Sequence, residues 1–206
     1  MPHADPPEKA AELLRHWFGE APHDVQATWT ARRALWFGKD AAVDADIRAR
    51  FGALQLQAAA GALASWANSP RGALALLLLL DQCPRNLFRA TPRAFATDPQ
   101  ALRQALAMVD AGGDARLWPI ERVFVYLPLE HAEELAVQEQ SVALFAALRD
   151  AAPQVDRARF EDFLDFAQRH HAIIARFGRF PHRNAILGRA SSPEELVFLQ
   201  QPGSGF

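Results

Sequence analysis

A chain of 206 residues, half of them hydrophobic and 22% charged, is long enough to bury a full core and has the composition of a folded globular protein. Its 22 basic and 24 acidic side chains leave a formal charge of −2, so no global field steers it toward nucleic acid or a membrane surface. A single cysteine, Cys83, excludes an internal disulfide and any multi-cysteine metal centre.

Only Lys9 and Lys39 are lysines, and every other basic side chain is an arginine. The first residues, MPHADPPEK, lack the basic start and apolar run of a signal peptide, so the cytoplasm is the expected location. Asp5-Pro6-Pro7-Glu8 reads as a helix start, with a cap acceptor and proline in the first turn. Ala10, Leu13, Leu14, Trp17 and Phe18 follow at helical spacing, and Gly19 closes the segment. A second Trp-Phe-Gly stands at 36–38. From Asp40, the positions Val43, Ile47, Phe51, Leu54 and Ala58 predict a long amphipathic helix reaching toward Trp66.

Asn68-Ser69-Pro70 stops that helix and starts the most unusual stretch, SPRGALALLLLLDQCPRNLFR. Ala73 to Leu80 is apolar without a break, and a helix apolar all round must be enclosed on every side. It delivers Asp81, Gln82, Arg85, Asn86 and Arg89 to the place where it ends, with Arg71 at its beginning. Pro84 makes helical continuity from Asp81 to Arg85 doubtful. The run is too short to span a bilayer, which takes about 20 apolar residues.

Asp98-Pro99 opens another helix. Trp118 to Leu127 is read as a helix bent or ended near Pro128, and Ala132 to Arg149 as the next. Phe160, Phe163, Leu164, Ala167, Ile174 and Phe177 form the clearest stripe, with His171 placed as its core histidine. Ser192-Pro193-Glu194-Glu195 has capping-box spacing for a last short helix. With no β-alternation, the expected fold is a single all-α domain over 1–206, an antiparallel helical stack or bundle.

Polar side chains gather in three clusters: Arg71, Asp81, Gln82, Arg85, Asn86 and Arg89; Glu130, His131, Glu134, Gln138 and Glu139; and Arg176, Arg179, His182, Arg183 and Asn184. On one helix Glu130, Glu134 and Gln138 would share a face. Three guanidiniums at 176, 179 and 183 suit a carboxylate or phosphate. The same groups also suit a purely structural ionic network.

Four motifs carry a resemblance: PRGALALLLLLDQCPRNLFR, AFATDPQAL, YLPLEHAEELAVQEQSVALF and RFGRFPHRNAILGR. In that order they resemble a bacterial family known as domain of unknown function 924, from Trp17-Phe18-Gly19 to Pro202-Gly203. The resemblance implies a tetratricopeptide-like all-helical superhelix and no established activity. Cys83 stands where an aromatic is usual in that family, which speaks against a nucleophilic cysteine, and Ala132 stands where serine is.

Two functions remain. One is a binding module for a protein or small-molecule partner with a polar Arg/Glu/His/Asn pocket. The alternative is an enzyme or receptor for a small anionic substrate, a carboxylate or phosphate, using that pocket, with Glu130 or Glu134 and His131 or His182 moving protons. Catalytic residues stay unassigned, and no cofactor is implied, since glycine-rich phosphate loops and dinucleotide fingerprints are missing. His131 and Glu134 reverse the Glu-x-x-His order of di-metal bundles, so no metal is expected. Nucleic acid and membrane are not expected partners, and a homodimer is possible on general grounds. Either function requires Arg85, Glu130, Glu134, Arg179 and His182 to lie together.

Overall fold

Ser69 and Pro70 begin the central helix as the spacing predicts. The Ser69 hydroxyl accepts the Gly72 N–H at 3.2 Å, and Pro70 occupies the first turn, where no partner for its missing N–H is needed. Gly72 is obligatory here, because a Cβ at this position would stand 2.2 Å from the Trp66 carbonyl oxygen. The structure, a computed structural model describing residues 6–205, is all-α, with no strand among the described residues. The Asp5 cap predicted for the first helix lies outside those residues.

Helix α1 (Glu8–Phe18) packs on α2 (Val25–Phe37), which Asp24 caps, and on α4 (Pro70–Leu77). The two Trp-Phe-Gly segments end these first helices and meet in the core. The Trp36 indole donates to the Trp17 carbonyl at 2.9 Å, and Phe18, Trp36 and Phe124 pack edge to face. Helix α3 (Ala41–Ala59), capped by Asp40, stops well before Trp66, and a turn through Gly61 leads to a 3-10 turn at Ala64–Asn68.

Every residue from Ala73 to Leu80 is buried, so the leucine run is enclosed as its composition demands. Helices α1, α6 (Asp98–Asp110) and α7 (Pro119–Glu130) pack against α4. Each buried leucine contributes roughly 1.5–3 kcal/mol. Helix α8 (Leu135–Ala151) lies along α7 and along α9 (Gln154–Phe177). The two-residue link at Ala152-Pro153 forces α8 and α9 antiparallel. Gly178 closes α9 with φ +67, its N–H on the Ile174 carbonyl at 2.8 Å, and α10 (Pro193–Leu199) starts from the Ser192–Glu195 capping box. Among the described residues no helix is long and apolar enough to cross a membrane.

Pro84 does not end the central helix. Leu78–Gln82 instead form a π turn in which the Cys83 N–H bonds back to Leu78, and α5 (Cys83–Leu87) continues beyond it. The proline ring lacks the N–H that would bond the Leu80 carbonyl and would clash with it in a regular helix. The Thr97 hydroxyl donates to that carbonyl, and Arg85 Nη1 donates to the next one, on Asp81, at 2.6 Å. Pro128 likewise sits inside α7, which runs on to Glu130.

Replacing Thr97 with valine keeps its shape and strands the buried Leu80 carbonyl. The expected loss is about 1–3 kcal/mol, read as a lower urea midpoint at unchanged slope.

Candidate functional site

The π turn faces Asp81 toward the end of α7, and this sets the centre of the site. Asp81 is 1% exposed, and its Oδ1 lies 2.8 Å from His131 Nδ1 and 3.3 Å from Arg85 Nη1. Gln82 donates to the other carboxylate oxygen at 2.5 Å. Burial opposes the charge on Asp81, but Arg85, His131 and Gln82 outweigh it and hold the carboxyl far below the usual range. Asp81 is therefore ionised, the proton of neutral His131 sits on Nδ1, and His131 Nε2 keeps its lone pair. Burial first, and then Arg85, lower the His131 pKa against the opposing pull of Asp81.

Arg85 also forks onto Asp98 at 3.0 and 3.1 Å, where α6 begins. Asp98 faces Arg183 too, at 3.6 Å. Arg183 is only 6% exposed; its guanidinium lies against the rings of Phe95 and Phe180 and gives one hydrogen bond to the His131 carbonyl at 3.1 Å. Its Nε, also buried, has no hydrogen-bond partner. Burial, and next the like charge of Arg85, bring Arg183 down to about 10.

Beneath this layer Glu130 Oε1 lies 3.0 Å from His170 Nδ1, which also directs its proton to the Phe166 carbonyl at 2.8 Å. Burial, with Asp81 nearby, pushes Glu130 up to about 8, and burial takes His170 down to about 3. At neutral pH this contact joins a protonated acid to a neutral imidazole rather than two ions. His182, beside Phe180, is lowered to about 4 by burial and then by Arg183. The rings of His131 and His170 stand 6.3 Å apart.

Asp81, Gln82, Arg85, Glu130, His131, His182 and Arg183 thus gather in one place. The remaining candidates do not. Arg71 pairs with Glu121 at 3.2 Å at the other end of α4. Asn86 turns to α3 and donates to Asp44 at 2.9 Å, beside Arg89. Helix α7 ends at Glu130 and α8 starts at Leu135, so Glu130, Glu134 and Gln138 do not share a helical face. Glu134 is the exposed residue preceding α8, and Gln138 is buried and caps α7 by donating to the carbonyls of Glu130 and Ala132 at 2.6 and 2.7 Å.

The three guanidiniums of the last cluster separate as well. Arg176 pairs at the surface with Glu194, while Arg179 forks onto Glu195 at 2.7 and 2.8 Å. Asn184, fully buried, joins Glu195 to Ser191. Of the five residues expected together, Arg85, Glu130 and His182 lie around Asp81 and His131, whereas Glu134 is exposed before α8 and Arg179 pairs with Glu195.

Three residues were not foreseen as part of this centre: Asp98, His170 and Glu133. Asp98 reads in sequence as a helix start. His170, not His171, completes the stripe of α9; the run 160, 163, 167, 170, 174 keeps the alternating three- and four-residue step that 171 breaks. Glu133 accepts the Phe180 N–H at 2.8 Å and forks onto Arg189 at 2.6 and 2.9 Å, tying the segment after α9 to the α7–α8 loop. Among the described residues no three His, Cys, Asp or Glu side chains are placed to hold a metal ion. Cys83 is buried and its thiol is pushed up to about 12 by burial, so it is a packing group rather than a nucleophile.

The family model described as bacterial protein of unknown function (DUF924) matches residues 13–203. No curated protein matches the chain. The solved structure of a protein of unknown function, ATU0120 from Agrobacterium tumefaciens, is similar at 38% identity and a TM-score of 0.77. That similarity covers 93% of this chain and 96% of the other.

Glu130 makes stability depend on pH. Its folded-state value, about 8, lies above the ordinary 4.5, so the native state keeps a proton that the unfolded chain releases. This contribution is complete below the ordinary value and is lost as pH rises through 8. Glu130→Gln cannot ionise. Its urea midpoint is expected to match that of the parent near pH 4.5 and to exceed it increasingly up to about pH 9.

Proposed function

The chain belongs to the bacterial DUF924 family, and we propose that it is a binding module for a small anionic ligand, a carboxylate or phosphate, held over the Arg85–His131–Arg183 cluster. Arg183 carries this reading. A guanidinium taken almost wholly out of water needs full compensation, and a buried cation short of partners is costly. Arg183 shares its one carboxylate, Asp98, with Arg85 and keeps a buried Nε without a hydrogen-bond acceptor. A ligand oxygen supplies what is missing, and Arg85 and His131, each partly exposed, flank the approach.

Exposed large apolar side chains favour a small ligand over a protein partner. Phe37, Leu56, Trp118 and Leu135 come from different elements, and Val155 with Phe166 on α9 and Leu196 with Val197 on α10 share a helix, so among the described residues no helix presents more than two. The same reading takes the successive helical pairs as a tetratricopeptide-like stack working in the cytoplasm.

A second reading, proton transfer on that ligand, rests on the Asp81–His131 pair. Asp81 fixes the imidazole with Nδ1 protonated, which leaves Nε2 to accept a proton from a bound molecule. An enzyme would use His131 as base, and Glu130, protonated at neutral pH, would be the nearby acid.

The test is thermal unfolding with acetate, succinate, citrate and inorganic phosphate. A ligand at 100 times its Kd adds about 2.7 kcal/mol, a clear rise in Tm. The rise with the carboxylates is expected to vanish in Arg183→Gln and to persist in Arg176→Gln, whose guanidinium lies at the surface. A parent protein that none of the four anions stabilises, or a rise with a carboxylate that survives Arg183→Gln, would overturn the reading.

A further inference from the structure

We infer that a second site, a cleft between the first turns of α3 and the segment after α5, binds the phosphate monoester of a small molecule. The cleft has a volume of about 560 Å³, within the usual range of small-ligand pockets, and is lined by residues between Ala41 and Arg48 and between Asn86 and Arg93. It is separate from the Arg183 cluster: Asn86 and Arg89 turn away from Asp81 and onto Asp44.

Its charge is one-sided. The lining contains three guanidiniums, Arg48, Arg89 and Arg93, and one carboxylate, Asp44, which leaves two positive charges uncompensated in a chain that is negative as a whole. Arg89 forks onto Asp44 through Nε and Nη2 at 2.8 and 2.7 Å. Arg48 and Arg93 are in no ion pair among the described residues. Arg48 is positioned by donating Nη2 to the Leu87 carbonyl, and Arg93 is stacked 3.8 Å above the Phe88 ring. Two guanidiniums held without a carboxylate on one cleft are a receptor for a dianion.

The backbone here is also shaped at a cost. Ala90 has φ +59, the one left-handed residue other than glycine among the described residues. A residue with a Cβ rarely takes that conformation, and such strain persists where the surroundings hold it. The turn sends Thr91 back so that its N–H and hydroxyl both donate to the Phe88 carbonyl, at 3.0 and 2.8 Å, which sets Arg93 over the ring.

A phosphate monoester fits better than a bare anion. Its two charges match the two unpaired cations, and its three terminal oxygens suit several forked donors. Leu87, Phe88 and Pro92 line the same cleft, and they give an attached organic group an apolar wall.

Titration calorimetry of the full chain with phenyl phosphate, inorganic phosphate and benzoate tests this. Phenyl phosphate is expected to bind most tightly, with benzoate weakest. Arg48 and Arg93 are exposed, so a double variant Arg48→Gln, Arg93→Gln keeps its fold, checked by circular dichroism. It is expected to lose roughly tenfold or more in affinity for phenyl phosphate. Arg183→Gln is expected to leave that affinity unchanged, so the outcome is independent of the Arg183 reading. Absence of phenyl phosphate binding would overturn the proposal. So would binding that withstands the double variant, or that falls with Arg183→Gln.

Discussion

A proline four residues beyond five consecutive leucines governs how the centre of this protein is built. The leucine run requires a helix closed in on all sides, while Pro84 withholds one N–H from its ladder and crowds the carbonyl at Leu80. The chain meets both demands by widening one turn to π geometry and continuing. Two carbonyls then point outward, and each recruits a donor. Thr97 brings the start of α6 to Leu80, and Arg85 folds back onto Asp81. Those two bonds explain why α6 begins where it does relative to the central helix. They also explain why an aspartate lies almost wholly buried at the helix end.

The electrostatics follow from that placement. A buried carboxylate is stable only with cations and donors around it, and Arg85, His131 and Gln82 supply them. The charge on Asp81 in turn helps keep Glu130 protonated. One layer is thus ionised and the layer beneath it neutral, although both are built from carboxyl groups and imidazoles. The difference lies in which groups have a guanidinium within reach.

Chain beyond α9 seals this centre from one side. Gly178 turns it, Phe180 packs beside His170, and Glu133 grips both the Phe180 N–H and Arg189. Arg179, Asn184, Ser191 and Glu195 then fasten the start of α10. Two arginines, Arg179 and Arg189, serve this fastening. That is why a cluster of three guanidiniums between 176 and 183 contributes only Arg183 to the site.

Local pattern by itself determined a good deal. Capping residues, helical spacing and the absence of alternation were enough for the all-α class and for most helix starts, because those are set by contacts three or four residues apart. The apolar run at 73–80 was enough to say that it is central, since a helix with no polar face has no other place to go. Tertiary structure alone decided the site. Whether Pro84 ends a helix or widens it depends on a threonine 13 residues later offering a hydroxyl. Whether Glu134 shares a face with Glu130 depends on a helix break that the loop contacts impose. His170 rather than His171 points inward, because the face of α9 is chosen by packing on α8 and α7. Charged side chains carry no periodic signal of their own, and their partners lie far off in the chain, as with Glu133 and Arg189, 56 residues apart. Pairing at such distances is settled by the fold that the apolar residues build, and only then does an ionisable group become a structural clamp or part of a site.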